Sequence, residues 1–142
     1  MLAALRLYPV VPVNGRTATR DTYLPLGGGP EGKDPIFVPK GHEIFYSVYS
    51  MHRLPEIFGP DAGEYRPERW ASLKPGWAYI PFNGGPRICP GQQFAITEAC
   101  YAMTQIVRNF KSIESRDDRP FVEGLTLTLA SENGTKVALT PA

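Results

Sequence analysis

Cys89 lies in FNGGPRICPGQQFA, Phe82 to Ala95, two residues after Arg87, within a run of glycines and prolines and just before a helix-forming stretch. A cysteine kept for packing normally sits in an apolar run. The neighbours here are residue types that control backbone shape and charge. The thiolate is the nucleophilic and metal-ligating form of cysteine, and a helix N-terminus with free backbone N–H groups favours that anion. Arg87 adds a rigid fork of donors suited to a carboxylate. The other candidates are weaker. Cys100 falls mid-helix among Ala99, Tyr101 and Ala102 and reads as a small buried apolar residue. The two cysteines form no CxxC and have no histidine at zinc spacing, which argues against a zinc site, and two cysteines in this length are no disulfide framework. His42 precedes a strand and His52 lies in an irregular stretch, so neither reads as a ligand. The glycine-rich LGGGPEGKDP, residues 26–35, has no Lys-Ser/Thr and no helix after it, so it is not a phosphate cradle.

The elements that must position Cys89 belong to a chain of 142 residues, a length that suits one domain. The formal net charge is +1 and the basic residues are scattered, so no nucleic-acid partner is indicated. No apolar run is long enough to cross a membrane, and MLAALRLYP lacks the pattern of a signal peptide. Fourteen Gly and fifteen Pro mark a chain rich in ordered turns. Leu2 to Tyr8 reads as a short helical end stopped by Pro9, after which Val10, Val11 and Val13 favour extended backbone. Strands are expected at 16–20, 21–24, 36–38 and 43–48, with a loop at 26–35 and one helical turn at 49–53. Leu54 to Pro81 reads as a long irregular stretch whose aromatics, Phe58, Tyr65, Trp70, Trp77 and Tyr79, argue for ordered packing. The strongest helix is 92–110, with Pro90 in its first turn and Ala95, Ala99, Ala102, Ile106 and Phe110 on one face. A C-terminal hairpin is expected over 125–139, turning at Asn133-Gly134.

Phe82, Gly85, Arg87, Cys89 and Gly91 together spell F-x-x-G-x-R-x-C-x-G without a mismatch. This resembles the heme-ligand loop of the cytochrome P450 family, the heme-thiolate monooxygenases. RLYPVVPVNGR, residues 6–16, resembles the end of the family's ExxR helix and the strand after it. MHRLPEIFGPDAGEYRPERW, residues 51–70, resembles its meander with the Pro-Glu-Arg-aromatic motif. The resemblance implies an α+β chain that is the C-terminal part of the mainly α cytochrome P450 fold. Its parts are short strands, a long meander, the heme-binding loop 82–91, one long helix and the hairpin, in one domain fragment spanning 1–142. It implies heme b, iron protoporphyrin IX, as cofactor, with Cys89 as the iron ligand. Arg87 and Arg16 would hold propionates, Phe82 would shield the sulfur, and Gly85 and Gly91 would let the backbone approach the ring. Val10, Val11 and Val13, and Leu127 to Ala130, resemble segments that line the substrate pocket. Arg69 resembles the arginine that joins the ExxR pair in a buried charge network. The implied reaction inserts one oxygen atom of O2 into an apolar substrate, with electrons from an NADPH-dependent reductase at the proximal face. The wording resembles fungal hydroxylases of alkanes or fatty acids, whose parent enzyme belongs to the endoplasmic-reticulum membrane.

The sequence departs from the family in two ways. Ala3 stands where ExxR has its glutamate, so Arg6 and Arg69 are expected to lack their anion and the core beside them to be loose. Only MLAAL precedes Arg6, so a distal helix across the heme is not expected within this chain. The alternatives to a working monooxygenase are a truncated, catalytically incompetent fragment and a small heme-binding or electron-transfer module.

Overall fold

The computed structural model describes residues 1–142 as mixed helix and strand. Helix α1, Leu2–Leu7, stops before Pro9, as the missing N–H requires. Strands β1, Val13–Thr17, β2, Thr22–Gly28, β3, Asp34–Val38, and β4, Glu43–Ser47, follow. β1 pairs antiparallel with β4, and β2 with β3, so a two-stranded hairpin is inserted between the strands of an outer pair. The glycine-rich segment is less of a loop than expected, because β2 runs on to Gly28 and β3 begins at Asp34. After a bulge between Leu24 and Gly28, Gly28 pairs again with Asp34, and the turn shrinks to residues 29–33. β1 likewise starts earlier than expected, at Val13, because Val13 pairs with Ser47.

Two short helices, α2, Val48–Met51, and α3, Pro55–Phe58, lead into the meander. The hydroxyl of Ser47 caps α2 by accepting from the Ser50 N–H. Short 3-10 turns at Pro67–Ala71, Gly76–Ala78 and Gly85–Arg87 carry the chain to the long helix α4, Gln92–Asn109. Pro90 lies just before the first turn of α4, and Phe110 already belongs to the next strand.

The hairpin expected over 125–139 does not form as one unit. Strands β6, Glu123–Leu125, and β7, Leu129–Ser131, make a tight hairpin of their own. The last strand β8, Val137–Pro141, pairs instead with β5, Phe110–Ser115. The alternating residues of β8 find in β5 a partner of matching length, whereas β7 offers only three residues.

The interior sits at α1, α2, α3 and the Pro67–Ala71 turn. Ala3, Leu7, Val38, Val48, Phe58 and Ala62 are its buried apolar residues, joined by buried Arg6, His52 and Arg69. Arg6 does not need the missing glutamate. Its guanidinium donates to the carbonyls of His52, Ala62 and Glu64 within 2.9 Å and lies over the Phe58 ring. Arg69 finds its anion in Asp61, at 2.8 Å, and also donates to the carbonyls of Phe58 and Asp61. The core beside position 3 is therefore the best-buried part of the molecule, not a loose one. Burial, followed by the nearby Arg69 and Arg53, lowers the pKa of Arg6 from its ordinary value. The hydrogen bond from Arg69, followed by the charge of Arg66, holds the Asp61 carboxyl below its ordinary value.

Candidate functional site

The cysteine loop is a closed turn between the meander and α4. The Cys89 N–H donates to the Phe82 carbonyl at 3.0 Å and brings the two ends of the loop together. Within it, the Ile88 N–H donates to Gly85 at 3.1 Å, closing the 3-10 turn. Gly85 has φ +69°, a left-handed conformation that glycine adopts at little cost. Gly84 is needed for space: a Cβ there would stand 2.4 Å from the Trp77 ring. Gly91 is conformationally ordinary, and a Cβ on it would lie 3.8 Å from the Cys89 sulfur.

The Cys89 thiol is free and exposed. It opens on a cavity of about 430 Å³ lined by Asn83, Pro86, Arg87, Ile88, Cys89 and Pro90. Phe82 faces the other way, into an apolar cavity of about 370 Å³ whose lining includes Leu5 of α1 and Ala95, Ile96, Ala99 and Met103 of α4. Ala95 and Ala99 share that face as expected. Ala102 and Ile106 do not reach it.

Arg16 lies on β1 with its guanidinium over the Tyr46 ring, 5.6 Å from the centroid, and it donates to the Gly15 carbonyl. Neither Arg16 nor Arg87 pairs with an acid. No group of three or more His, Cys, Asp or Glu side chains surrounds Cys89 or gathers anywhere else. A metal at this thiol must therefore bring its other ligands with it. One exposed thiol with the Arg87 fork on the same cavity is a donor set that fits an iron macrocycle carrying carboxylates, and Arg16 lies on β1 outside that cavity's lining.

The other sequence candidates fall apart spatially. Val10 lines the cavity behind Phe82, whereas Val13 lines a separate one of about 240 Å³ with Pro12, Tyr49, Leu125 and Leu129. Val11 lines neither. Within Leu127 to Ala130, Leu129 reaches the Val13 cavity and its N–H donates to the Val10 carbonyl at 2.8 Å, while the Leu127 side chain is exposed. Cys100 is exposed rather than buried, because nothing packs on its face of α4. His42 sits in an exposed turn.

Sequence reasoning passed over His52 as a non-ligand and missed what it does. His52 is wholly buried. The Ile80 N–H donates to its Nε2 at 3.0 Å, which leaves the proton on Nδ1 to be donated to the Arg6 carbonyl at 3.1 Å. Burial drives its pKa down to about 4. The ring stacks on Tyr79, which in turn meets Trp70 edge-on. Neutral His52 therefore ties α1 to the strand-like approach of the cysteine loop. Also missed were Asn14, Tyr46 and Asn83, a polar trio without charge or motif spacing. The Tyr46 hydroxyl donates to Asn83 Oδ1 at 2.8 Å, and Asn83 Nδ2 donates to Asn14 Oδ1 at 2.9 Å.

A family model described as Cytochrome P450 matches residues 4–137. Cytochrome P450 monooxygenase himC of Aspergillus japonicus is 58% identical over 135 residues, 95% of this chain and 24% of that protein. Cytochrome P450 52A13 of Debaryomyces hansenii is 56% identical over 138 residues, and Cytochrome P450 52A6 of Candida tropicalis 55% over 140 residues. Each of these two matches covers 95% of this chain and 27% of the relative. The chain thus spans about a quarter of the length of the curated relatives it matches.

Proposed function

The chain belongs to the cytochrome P450 family, whose cofactor is heme b, and we propose that it forms the cysteine side of a heme-thiolate monooxygenase. The observation that carries this reading is the free Cys89 thiol on an open cavity, with Arg87 beside it and no other metal donors near. Cys89 would be the residue that holds the iron. Arg87 and Arg16, free of acids, would each hold a propionate, and the Tyr46 ring would steady the Arg16 guanidinium that lies over it. Phe82 would close the apolar side of the loop, Gly85 would make its turn and Gly91 would let the backbone approach the ring. Heme held there would supply the iron chemistry that puts one atom of O2 into a C–H bond of the substrate, with two electrons and two protons taking the other atom to water.

The substrate would be apolar, an alkane or fatty acid. The sequence wording supports this, and so does the largely apolar cavity that Val13 shares with Leu125 and Leu129. Electrons would come from an NADPH-dependent reductase. No helix is long and apolar enough to cross a membrane, and the endoplasmic-reticulum membrane is proposed for the parent enzyme by resemblance alone.

A second reading, a heme-binding piece that does not turn over by itself, is favoured by the open faces of α4, which buries none of its residues. One experiment addresses both. The chain is loaded with hemin and reduced under carbon monoxide. Cys89→Ser should lose the thiolate-type absorbance and Cys100→Ser should keep it; the reverse would remove Cys89 from the site. Reductase and a fatty acid are then added. Absence of coupled product supports the second reading, and stoichiometric hydroxylation excludes it.

A further inference from the structure

The segment that carries Cys89 has few ties to the rest of the molecule. Backbone hydrogen bonds of residues 82–91 stay between Ile80 and Ala95. The only hydrogen bonds that leave this segment for another element are the two made by the Asn83 side chain. Asn83 is also the only residue other than glycine with positive φ, at +62°. Asparagine accepts that conformation more readily than most side-chain-bearing residues. The left-handed turn at 83 aims its amide at the β1–β4 pair.

Asn14 and Tyr46 stand directly opposite each other in that ladder, so one amide grips both strands. The grip has a fixed direction. Asn14 Nδ2 donates to the Val11 carbonyl at 3.4 Å, which turns Asn14 Oδ1 toward Asn83 Nδ2 and leaves Asn83 Oδ1 for the Tyr46 hydroxyl. Arg16, two residues after Asn14, shares its face of β1, and its guanidinium lies over the same Tyr46 ring. Asn83 also lines the cavity onto which Cys89 and Arg87 open.

We propose that Asn83 is a positioning residue that clamps the cysteine loop to β1 and β4, fixing the sulfur of Cys89 relative to the Arg16 fork. The proposal rests on the reading of Cys89 as the heme ligand. It adds that the ligand geometry is set from the strands, through an uncharged side chain hydrogen-bonded to Asn14 and Tyr46.

The test uses the whole chain in a Cys100→Ser background, with Asn83→Gly, Tyr46→Phe and the double variant. Glycine keeps the left-handed turn and removes the clamp. Phenylalanine keeps the ring under Arg16 and removes the hydroxyl. Without heme, amide exchange of residues 83–89 should speed up about tenfold in Asn83→Gly, the worth of two neutral hydrogen bonds. It should speed up less in Tyr46→Phe, and the double variant should be no faster than Asn83→Gly. Exchange at Arg6 and His52 should not change. With hemin under reducing carbon monoxide, both single variants should lose part of the thiolate-type absorbance to a form with a displaced or protonated sulfur. Unchanged loop exchange in Asn83→Gly overturns the proposal, as does an effect in the double variant equal to the product of the two single effects. An unaltered carbonyl spectrum in Asn83→Gly overturns it as well. A parent chain with no thiolate-type absorbance refutes the heme reading itself and with it the positioning of a ligand, whatever the exchange rates show.

Discussion

Residues 1–69 and residues 70–142 are nearly equal in length and opposite in character. Every buried residue of the chain, eleven in all, lies between Ala3 and Arg69, and none lies beyond. The first half pairs most of its buried polar groups, Arg69 Nε excepted. Arg6 has three carbonyls, Arg69 has Asp61, and His52 has a donor on one nitrogen and an acceptor on the other. The second half leaves its largest element open, with Phe94 and Val107 of α4 each about three-quarters exposed (74% and 75%). The whole chain exposes 10352 Å², whereas a folded monomer of 15.7 kDa exposes about 7,300 Å². The difference separates two tasks. The first half is a scaffold that holds its own shape, and the second presents the thiol and a set of apolar faces to something else.

The sharpest way to break this contrast is to empty the first half of its charge. Arg6→Met keeps apolar bulk but strands the carbonyls of His52, Ala62 and Glu64 without a donor. The expected loss is about 3–5 kcal/mol, read as a fall in the urea midpoint. Arg6→Lys should recover only part of it, because an ammonium group cannot serve three carbonyls with the fixed fork of a guanidinium. A midpoint unchanged in Arg6→Met would mean that the interior is held by apolar contacts alone.

His52 gives the next largest effect and gives it a pH window. Its folded pKa, about 4, is depressed below the ordinary value of 6.5. Between these values the unfolded chain binds more protons than the folded one, so stability rises with pH across the window. Its contribution is complete above about pH 6.5 and is lost as pH falls toward 4. Asp61, also depressed, loses its contribution lower, beneath the ordinary carboxylate range. His52→Gln can still donate to Arg6 and accept from Ile80 but does not titrate. The urea midpoint of the parent chain should therefore fall between pH 7 and 4.5 more steeply than that of His52→Gln. Parallel profiles would show that the ring is not held neutral.

What could be read from the sequence cuts across that division. The thiol, its loop, the turn at Gly85 and the span of α4 were legible, because each is a local pattern of residue types at fixed spacing. The partner of Arg6 was not. A missing glutamate at Ala3 suggested an unpaired cation, since sequence shows charges but not which carbonyls a fold turns inward. The pairing of β8 with β5 was hidden because a hairpin and a longer-range ladder share the same alternation. Exposure of Cys100 was hidden for a related reason: apolar spacing marks the face a helix can bury, not whether anything covers it.

The smallest expected effect tests that last point. Phe94→Ser and Val107→Ser remove large apolar side chains from α4, yet both already stand mostly in water. Burial that never occurred cannot be lost, so the unfolding free energy should change by less than about 0.5 kcal/mol and the urea midpoint should barely move. Phe58→Ala, in the buried half, should cost about 3–5 kcal/mol. The surface that does not stabilise the chain should instead make it associate, because apolar patches beyond a few hundred Å² attract partners. Sedimentation of the parent chain should show concentration-dependent self-association and binding of an apolar dye, and the two serine variants should weaken both. A strictly monomeric chain that binds no dye would show that α4 is covered in solution, and the contrast between the halves would fail there.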